Sequence, residues 1–345
     1  MNLAVLGAGS WGTTIASLVA GRVPTTLWSR SEAVAAEIRE QRTNASYLGD
    51  WRLPDQLRAT SFLDDALGNA ELVVIALPSH GVRAVLTAVA RSLPAGVPVL
   101  SLSKGLEEGT MARISEIVDE CWPGHPVGVL TGPNLAPEVC DGQPTASVIA
   151  FADEGLADEV RNLFATEALR IYTNPDVIGC EIAGAVKNVL AIASGMSTGL
   201  GFGDNTRAAL ITRSLAELTR LGVALGGEPP TFAGLAGLGD LVATCTSTKS
   251  RNFAVGVALG RGQSLDEVIG RTRMVAEGVK TCRPVVDLAR RFGVEVPVAE
   301  QVVAVCYGNR SPAEAIPLLM RRAPRSEVED LVNPNVKARE GTRGR

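Results

Sequence analysis

The feature that most constrains this chain stands at its start. Leu3-Ala4-Val5-Leu6 runs into Gly7-Ala8-Gly9-Ser10-Trp11-Gly12, and a helical pattern follows over Gly12–Ala20. A short apolar run followed by G-x-G-x-x-G and a helix is a dinucleotide-binding fingerprint. Gly7 permits the tight turn, Gly9 lets the backbone approach a pyrophosphate, and Gly12 lets the helix pack close to the strand. The first N–H groups of the helix then face the phosphate charge.

The rest of the first half agrees with such a start. Predicted strands at Leu3–Leu6, Thr25–Trp28, Leu72–Leu77, Pro98–Leu102, Val127–Leu130, Ala146–Ala150 and Arg170–Tyr172 are separated by helical stretches. The clearest of these are Gly12–Ala20, Ser31–Gln41, Val82–Leu93 and Thr110–Cys121. Leu72–Leu77 is apolar at every position, as a central strand covered on both faces must be. This alternation predicts a Rossmann-like, doubly wound α/β domain. After about Gly179 the strand signal stops, and Glu181–Met196, Arg207–Leu225, Arg251–Gly260, Met274–Phe292 and Val298–Tyr307 read as helices. Capping boxes at Ser264–Glu267 and Ser311–Glu314 support that reading. We therefore expect a dinucleotide-binding domain over 1–179 and an all-α substrate and catalytic domain over 180–330. The polar, aperiodic tail over 331–345 is expected to be disordered.

Composition narrows the chemistry. A net charge of −4 provides no general attraction for nucleic acid. The six cysteines form no C-x-x-C pair, and isolated thiols suit a reducing, cytoplasmic setting. No consecutive apolar stretch nears the ~20 residues that span a bilayer. The chain holds only two histidines, His80 and His125, and five lysines. That excludes a His-rich metal centre, so we expect no metal and look for proton chemistry elsewhere.

One lysine is conspicuous. Ile182–Ala193 is apolar nearly all round except for Lys187 and Asn188. Burial disfavours the charged form of a lysine, which moves it toward the range useful for proton transfer. Asp240, among the glycines of Gly237-Leu238-Gly239-Asp240-Leu241, is the expected carboxylate partner. Ser250-Arg251-Asn252 opens another helix, and a hydroxyl, a guanidinium and an amide beside free N–H groups suit an anion; a helix cap with a solvated arginine would look the same. Lys104 follows one strand and Gly132-Pro133-Asn134 another, at the sheet edge where ligands of such folds bind. At the end of the second strand, where an NAD-selective site carries a carboxylate, the chain has Arg30. A guanidinium there attracts a 2′-phosphate, so NADP(H) is expected, with NAD(H) tolerated.

In order, Gly7–Gly12, Ser103-Lys104-Gly105-Leu106-Glu107, Gly132-Pro133-Asn134, Gly184-Ala185-Val186-Lys187-Asn188, Gly234–Leu241 and Ser250-Arg251-Asn252 closely resemble the bacterial NAD(P)-dependent glycerol-3-phosphate dehydrogenases. The resemblance covers residues 1 to 323. It implies reversible reduction of dihydroxyacetone phosphate to sn-glycerol 3-phosphate, which supplies the backbone of phospholipids. It implies that Lys187 exchanges the proton, held by Asn188 and Asp240. It further implies substrate contacts from Lys104, Gly132, Asn134, Lys187, Asp240, Ser250, Arg251 and Asn252. Cofactor contacts are implied for Ser10, Trp11, Arg30, Tyr47, Lys104, Ala136, Arg251, Val275 and Glu277. A homodimer is compatible with the family. Three positions depart from the usual pattern: Asn134 replaces Ser or Thr, Pro137 a charged residue, and Phe253 a basic one. Two other readings share parts of the pattern. A reductase of another small carbonyl compound, such as a β-hydroxyacid, also uses a lysine on a helix, and a dinucleotide sensor needs only the glycine loop.

Overall fold

The computed structural model describes residues 1–89, 93–270 and 276–320. Val275 and the tail over 331–345, both named above, lie outside the described residues. So does the start of the helix expected from Met274.

The chain forms two compact units. The first comprises Met1–Lys104 and Ala112–Val177; Gly105–Met111 belongs with the second, which resumes at Ile178.

The first unit is built on one sheet of β1 (Leu3–Leu6), β2 (Thr25–Trp28), β3 (Arg58–Thr60), β4 (Leu72–Ile75), β5 (Val99–Ser101), β6 (Val127–Thr131), β7 (Thr145–Ala150) and β8 (Leu169–Asn174). Their order is β3-β2-β1-β4-β5-β6-β7-β8, so the chain reverses direction across the sheet between β1 and β4. Pairing is parallel except between β6 and β7, where Leu130 faces Ile149 in antiparallel register. Alternate residues of one strand feed opposite faces. Val5 and Val74 pack with Ile15, Leu27 and Phe151. Ala4, Leu6, Val73 and Ile75 pack with Ile117 and Trp122. Cover on both faces is why β1 and β4 carry no polar residue. The fold is the Rossmann-like doubly wound sheet.

Several elements are additional to those read from the sequence, among them β3 and the helix Glu154–Phe164. β3 is three residues long and pairs only with β2, at the edge, so it needs little apolar signal. The helix Glu154–Phe164 is capped by Asp153, whose carboxylate accepts from the Leu156 N–H at 2.7 Å. The helix expected from Thr110 begins later, at Ile114, because Met111 takes a positive φ and Arg113 and Glu116 form the cap.

Every described element of the second unit is helical. Val177–Gly199 is its core, with nineteen of its residues buried. It is long and apolar enough to cross a membrane by composition, but 89% of its apolar window is buried inside the protein. The other helices include Asp204–Ala224, Asp240–Thr246, Arg251–Gly260, Glu277–Arg291, Pro297–Tyr307 and Pro312–Met320. Both capping boxes form, Ser264 with Glu267 and Ser311 with Glu314. Glu217, deeply buried on Asp204–Ala224, accepts from the Val298 N–H at 2.7 Å and so caps Pro297–Tyr307 from a different helix.

Candidate active site

In the first unit the glycine loop is shaped by contact at two positions and by open space at a third. Gly7 has φ +120°, and a Cβ there would lie 2.4 Å from the Ala76 carbonyl oxygen. A Cβ on Gly12 would lie 2.0 Å from the Gly7 carbonyl oxygen. Both positions exclude any larger residue. A Cβ on Gly9 would meet nothing within 4 Å, and Gly9 precedes Ser10–Val19 with no side chain capping the helix. The loop therefore presents bare helix N–H groups beside unfilled space, which fits a pyrophosphate. Asn44, fully buried, pins the loop by donating to the Ala8 carbonyl at 2.9 Å and to Thr13 Oγ1 at 2.8 Å. Sequence reasoning missed Asn44, because nothing local marks an asparagine that acts 31 positions away.

The other predicted cofactor positions of this unit take these places. Ser10 donates its hydroxyl to the Tyr47 carbonyl at 3.0 Å, while the Tyr47 ring is partly exposed. The Trp11 indole N–H is buried with no hydrogen-bond partner among the described residues, and is thus available to a ligand. Arg30 is exposed just beyond β2, next to the Ser31 cap of Glu32–Gln41. Ala136 is the buried first residue of Ala136–Cys140. Pro137 occupies the first turn of that helix, where a missing N–H costs nothing, so this departure has a structural explanation.

Lys104 follows β5 and Gly132-Pro133-Asn134 follows β6, and the two are brought together. Lys104 Nζ donates to Asn134 Oδ1 at 2.7 Å and to the Gly132 carbonyl at 3.1 Å. The ammonium fixes which way the Asn134 amide faces. Its Nδ2 is left buried and without a hydrogen-bond partner among the described residues.

In the second unit the structure joins Lys187 to Asp240. Nζ and Oδ1 are 2.6 Å apart, and the two side chains are 7% and 3% exposed. Thr244 completes the group, accepting from Lys187 Nζ at 2.8 Å and donating to Asp240 Oδ1 at 3.2 Å. Thr244 was also missed, although its signal is present: it lies four residues after Asp240 on one helix face. Asp240 is delivered by a wide helical turn over Leu235–Gly239 that precedes its own helix. Such turns re-aim the residues that follow them. The lysine is buried beside a carboxylate and a hydroxyl that both accept from Nζ, so its charge is compensated rather than merely desolvated.

Asn188 is buried beside this group, and its Oδ1 accepts from Asn252 Nδ2 at 2.9 Å. Asn252 Oδ1 in turn accepts from the Gly278 N–H at 2.9 Å, next to Glu277 at the head of Glu277–Arg291. Ser250 caps Arg251–Gly260, accepting from the Phe253 N–H at 3.3 Å, and Arg251 is exposed in its first turn. Phe253 is buried, so the usual basic side chain is here exchanged for packing.

Comparison with known proteins places this geometry. The family model described as NAD-dependent glycerol-3-phosphate dehydrogenase N-terminus matches residues 2–157, and the corresponding C-terminus model matches 176–317. The chain is 51% identical to a protein of Mycobacterium avium named glycerol-3-phosphate dehydrogenase [NAD(P)+], over 95% of this chain and 96% of that one. It is 47% identical to one named glycerol-3-phosphate dehydrogenase [NAD(P)+] 2 from Sphingopyxis alaskensis, over 97% and 99%. A solved glycerol-3-phosphate dehydrogenase from Coxiella burnetii is 36% identical, covers 93% of this chain and 99% of its own, and superposes with a TM-score of 0.90.

Proposed function

The chain belongs to the NAD-dependent glycerol-3-phosphate dehydrogenase family, and from that premise we propose that it reduces dihydroxyacetone phosphate reversibly to sn-glycerol 3-phosphate with NADPH or NADH. The observation that carries this reading is the Lys187–Asp240–Thr244 group. It is a buried ammonium with its charge compensated and its position fixed by two acceptors.

Gly7, Gly9 and Gly12, with Ser10, Trp11, Tyr47 and Ala136, would hold the dinucleotide, and Arg30 would take the 2′-phosphate of NADPH. Glu277 and Val275 are proposed as further contacts. Bound NAD(P)H supplies the hydride that the carbonyl carbon accepts. As that carbon becomes tetrahedral, its oxygen gathers negative charge, and Lys187 Nζ delivers a proton to it. Asp240 stabilises the ammonium beforehand and keeps Nζ oriented. Solvent then reprotonates the neutral amine, and the reverse reaction uses that amine as base.

The phosphate would be held by Ser250 and Arg251, with Asn252 beside them and the N–H groups of their helix turn contributing. Binding energy at the phosphate is thereby spent on orienting the carbonyl. Lys104, Gly132 and Asn134 are proposed as further substrate contacts. Asn134 keeps a role despite its departure from the family: with Oδ1 spent on Lys104, its Nδ2 is a donor for a substrate oxygen. A reductase of another carbonyl compound has no comparable use for Ser250-Arg251-Asn252. A sensor has no use for a buried lysine–carboxylate pair. Neither is favoured by relatives about half identical over the full length.

The free state of all six cysteines supports a reducing, cytoplasmic setting. The net charge of −4 speaks against nucleic acid as a partner. Leu238 and Val242, exposed four positions apart, offer apolar surface for a homodimer contact. The product would feed phospholipid synthesis. Absorbance at the NADPH band, followed with and without dihydroxyacetone phosphate, tests the assignment. Oxidation that does not depend on the added substrate would refute it.

A further inference from the structure

Three helices of the second unit meet near the Lys187 turn with backbone against backbone. A Cβ on Gly256 would lie 2.1 Å from the Ile192 carbonyl oxygen, and one on Gly195 2.2 Å from that of Phe253. One turn further on, a Cβ on Gly260 would lie 2.4 Å from the Met196 carbonyl oxygen, and one on Gly199 2.4 Å from that of Val257. Val177–Gly199 and Arg251–Gly260 thus cross through two pairs of glycines. At the head of Glu277–Arg291, a Cβ on Gly278 would lie 2.3 Å from the Asn188 carbonyl oxygen. The Asn252 amide binds the same three helices, one hydrogen bond to Asn188 and one from Gly278.

Most helix pairs are separated by side chains that can change rotamer, at about 8–10 Å between axes. Here the spacing is set by backbone atoms, which cannot yield in that way. One of the crossing helices carries Lys187. The other begins with Ser250 and Arg251. Lys187 is meanwhile oriented by Asp240 and Thr244 on the helix Asp240–Thr246, whose Cys245 carbonyl accepts from Ser194 on the Lys187 helix.

We propose that the glycine crossing, locked by Asn252, is a positioning device that fixes the distance from the Ser250–Arg251 phosphate anchor to the Lys187 proton donor. It thereby selects substrates whose phosphate ester sits on the carbon next to the carbonyl. This rests on the function proposed above and extends it. Gly195, Gly199, Gly256 and Gly260 touch no substrate and act only through the helices they bring together. An alanine at Gly256 must push the Arg251 helix back by about an ångström, because backbone cannot accommodate the overlap otherwise. A displacement of that size at a bound substrate costs on the order of 100-fold in rate.

The test compares the parent with Gly256→Ala on two substrates, dihydroxyacetone phosphate and dihydroxyacetone, alongside fluorescence titration with NADPH. Dihydroxyacetone lacks the phosphate and draws nothing from the anchor. Gly256→Ala is expected to lose about 100-fold in kcat/KM for the phosphorylated substrate, chiefly through kcat. Its kcat/KM for dihydroxyacetone should stay within about threefold of the parent, and its NADPH affinity, to which Arg251 is also expected to contribute, should fall by far less than about 100-fold. Gly260→Ala, at the far end of the crossing where the helix can fray, should show the same split to a smaller degree. It carries the test if Gly256→Ala does not fold. An equal loss on both substrates, or no loss on either, overturns the positioning role. A parent that does not turn over dihydroxyacetone phosphate would refute the proposed function instead, and that result is visible before any variant is made.

Discussion

Lys187 Nζ donates to Asp240 Oδ1 across 2.6 Å, although the two residues are 53 positions apart and lie on different helices. Lys187→Ala is expected to lower kcat by about 10²–10⁴, the usual range for a positioned proton donor. NADPH affinity should hardly change, and a stopped-flow binding trace beside steady-state rates would show whether it does.

The same pair has a structural consequence. Asp240→Ala leaves a buried ammonium with Thr244 as its remaining partner, and breaking a buried pair from one side costs about 3–5 kcal/mol. Urea unfolding of the two proteins measures this. A midpoint that does not move would show that water reaches Lys187 and that the pair is not structurally important.

The glycine loop separates binding from folding. Gly9→Ala adds a methyl group to open space at φ −76°, so the melting temperature should be unchanged while NADPH affinity falls at least tenfold (about 1.4 kcal/mol). Gly12→Ala, 2.0 Å from the Gly7 carbonyl oxygen, should lose both. Retained affinity in Gly9→Ala would remove the loop from the dinucleotide site.

Arg30 bears on cofactor choice. Arg30→Ala should reduce the ratio of kcat/KM with NADPH to that with NADH by about tenfold, the loss of one charge-assisted contact. Kinetics with each cofactor decide it, and an unchanged ratio would leave Arg30 as a solvated loop residue.

Glu217 makes stability depend on pH. Burial pushes its carboxyl up to about 8, against the opposing Val298 and Ala299 N–H groups. The folded state therefore holds a proton that the unfolded chain releases near 4.5. This group's contribution is complete below that value and is lost as pH rises through about 8. Glu217→Gln, which mimics the protonated form, should melt close to the parent at pH 5 and above it at pH 9. Parallel melting curves across that range would contradict the assignment.

Legibility differed between elements for physical reasons. β1, β4 and Val177–Gly199 are covered on all sides, so their apolar runs identify them without context. β3 pairs along one edge only, and Glu154–Phe164 has a polar outer face, so neither stood out. Among site residues, Lys187 and Asp240 were visible because a charge in an apolar or glycine-rich segment conflicts with its surroundings. Asn44 and Thr244 were not, because an amide or hydroxyl on a helix or loop is unremarkable until its partner arrives from elsewhere.

The sequence by itself determined the fold class, the glycine loop and the candidate catalytic lysine, since each depends on local periodicity or on a short motif. Only the tertiary structure decided what Lys187 touches, how Lys104 orients Asn134, and how closely the Arg251 helix approaches the Lys187 helix. Those are distances between segments tens of residues apart. They are set by packing and by hydrogen bonds that no local pattern encodes, and the glycines that allow the closest approach carry no side chain to announce it.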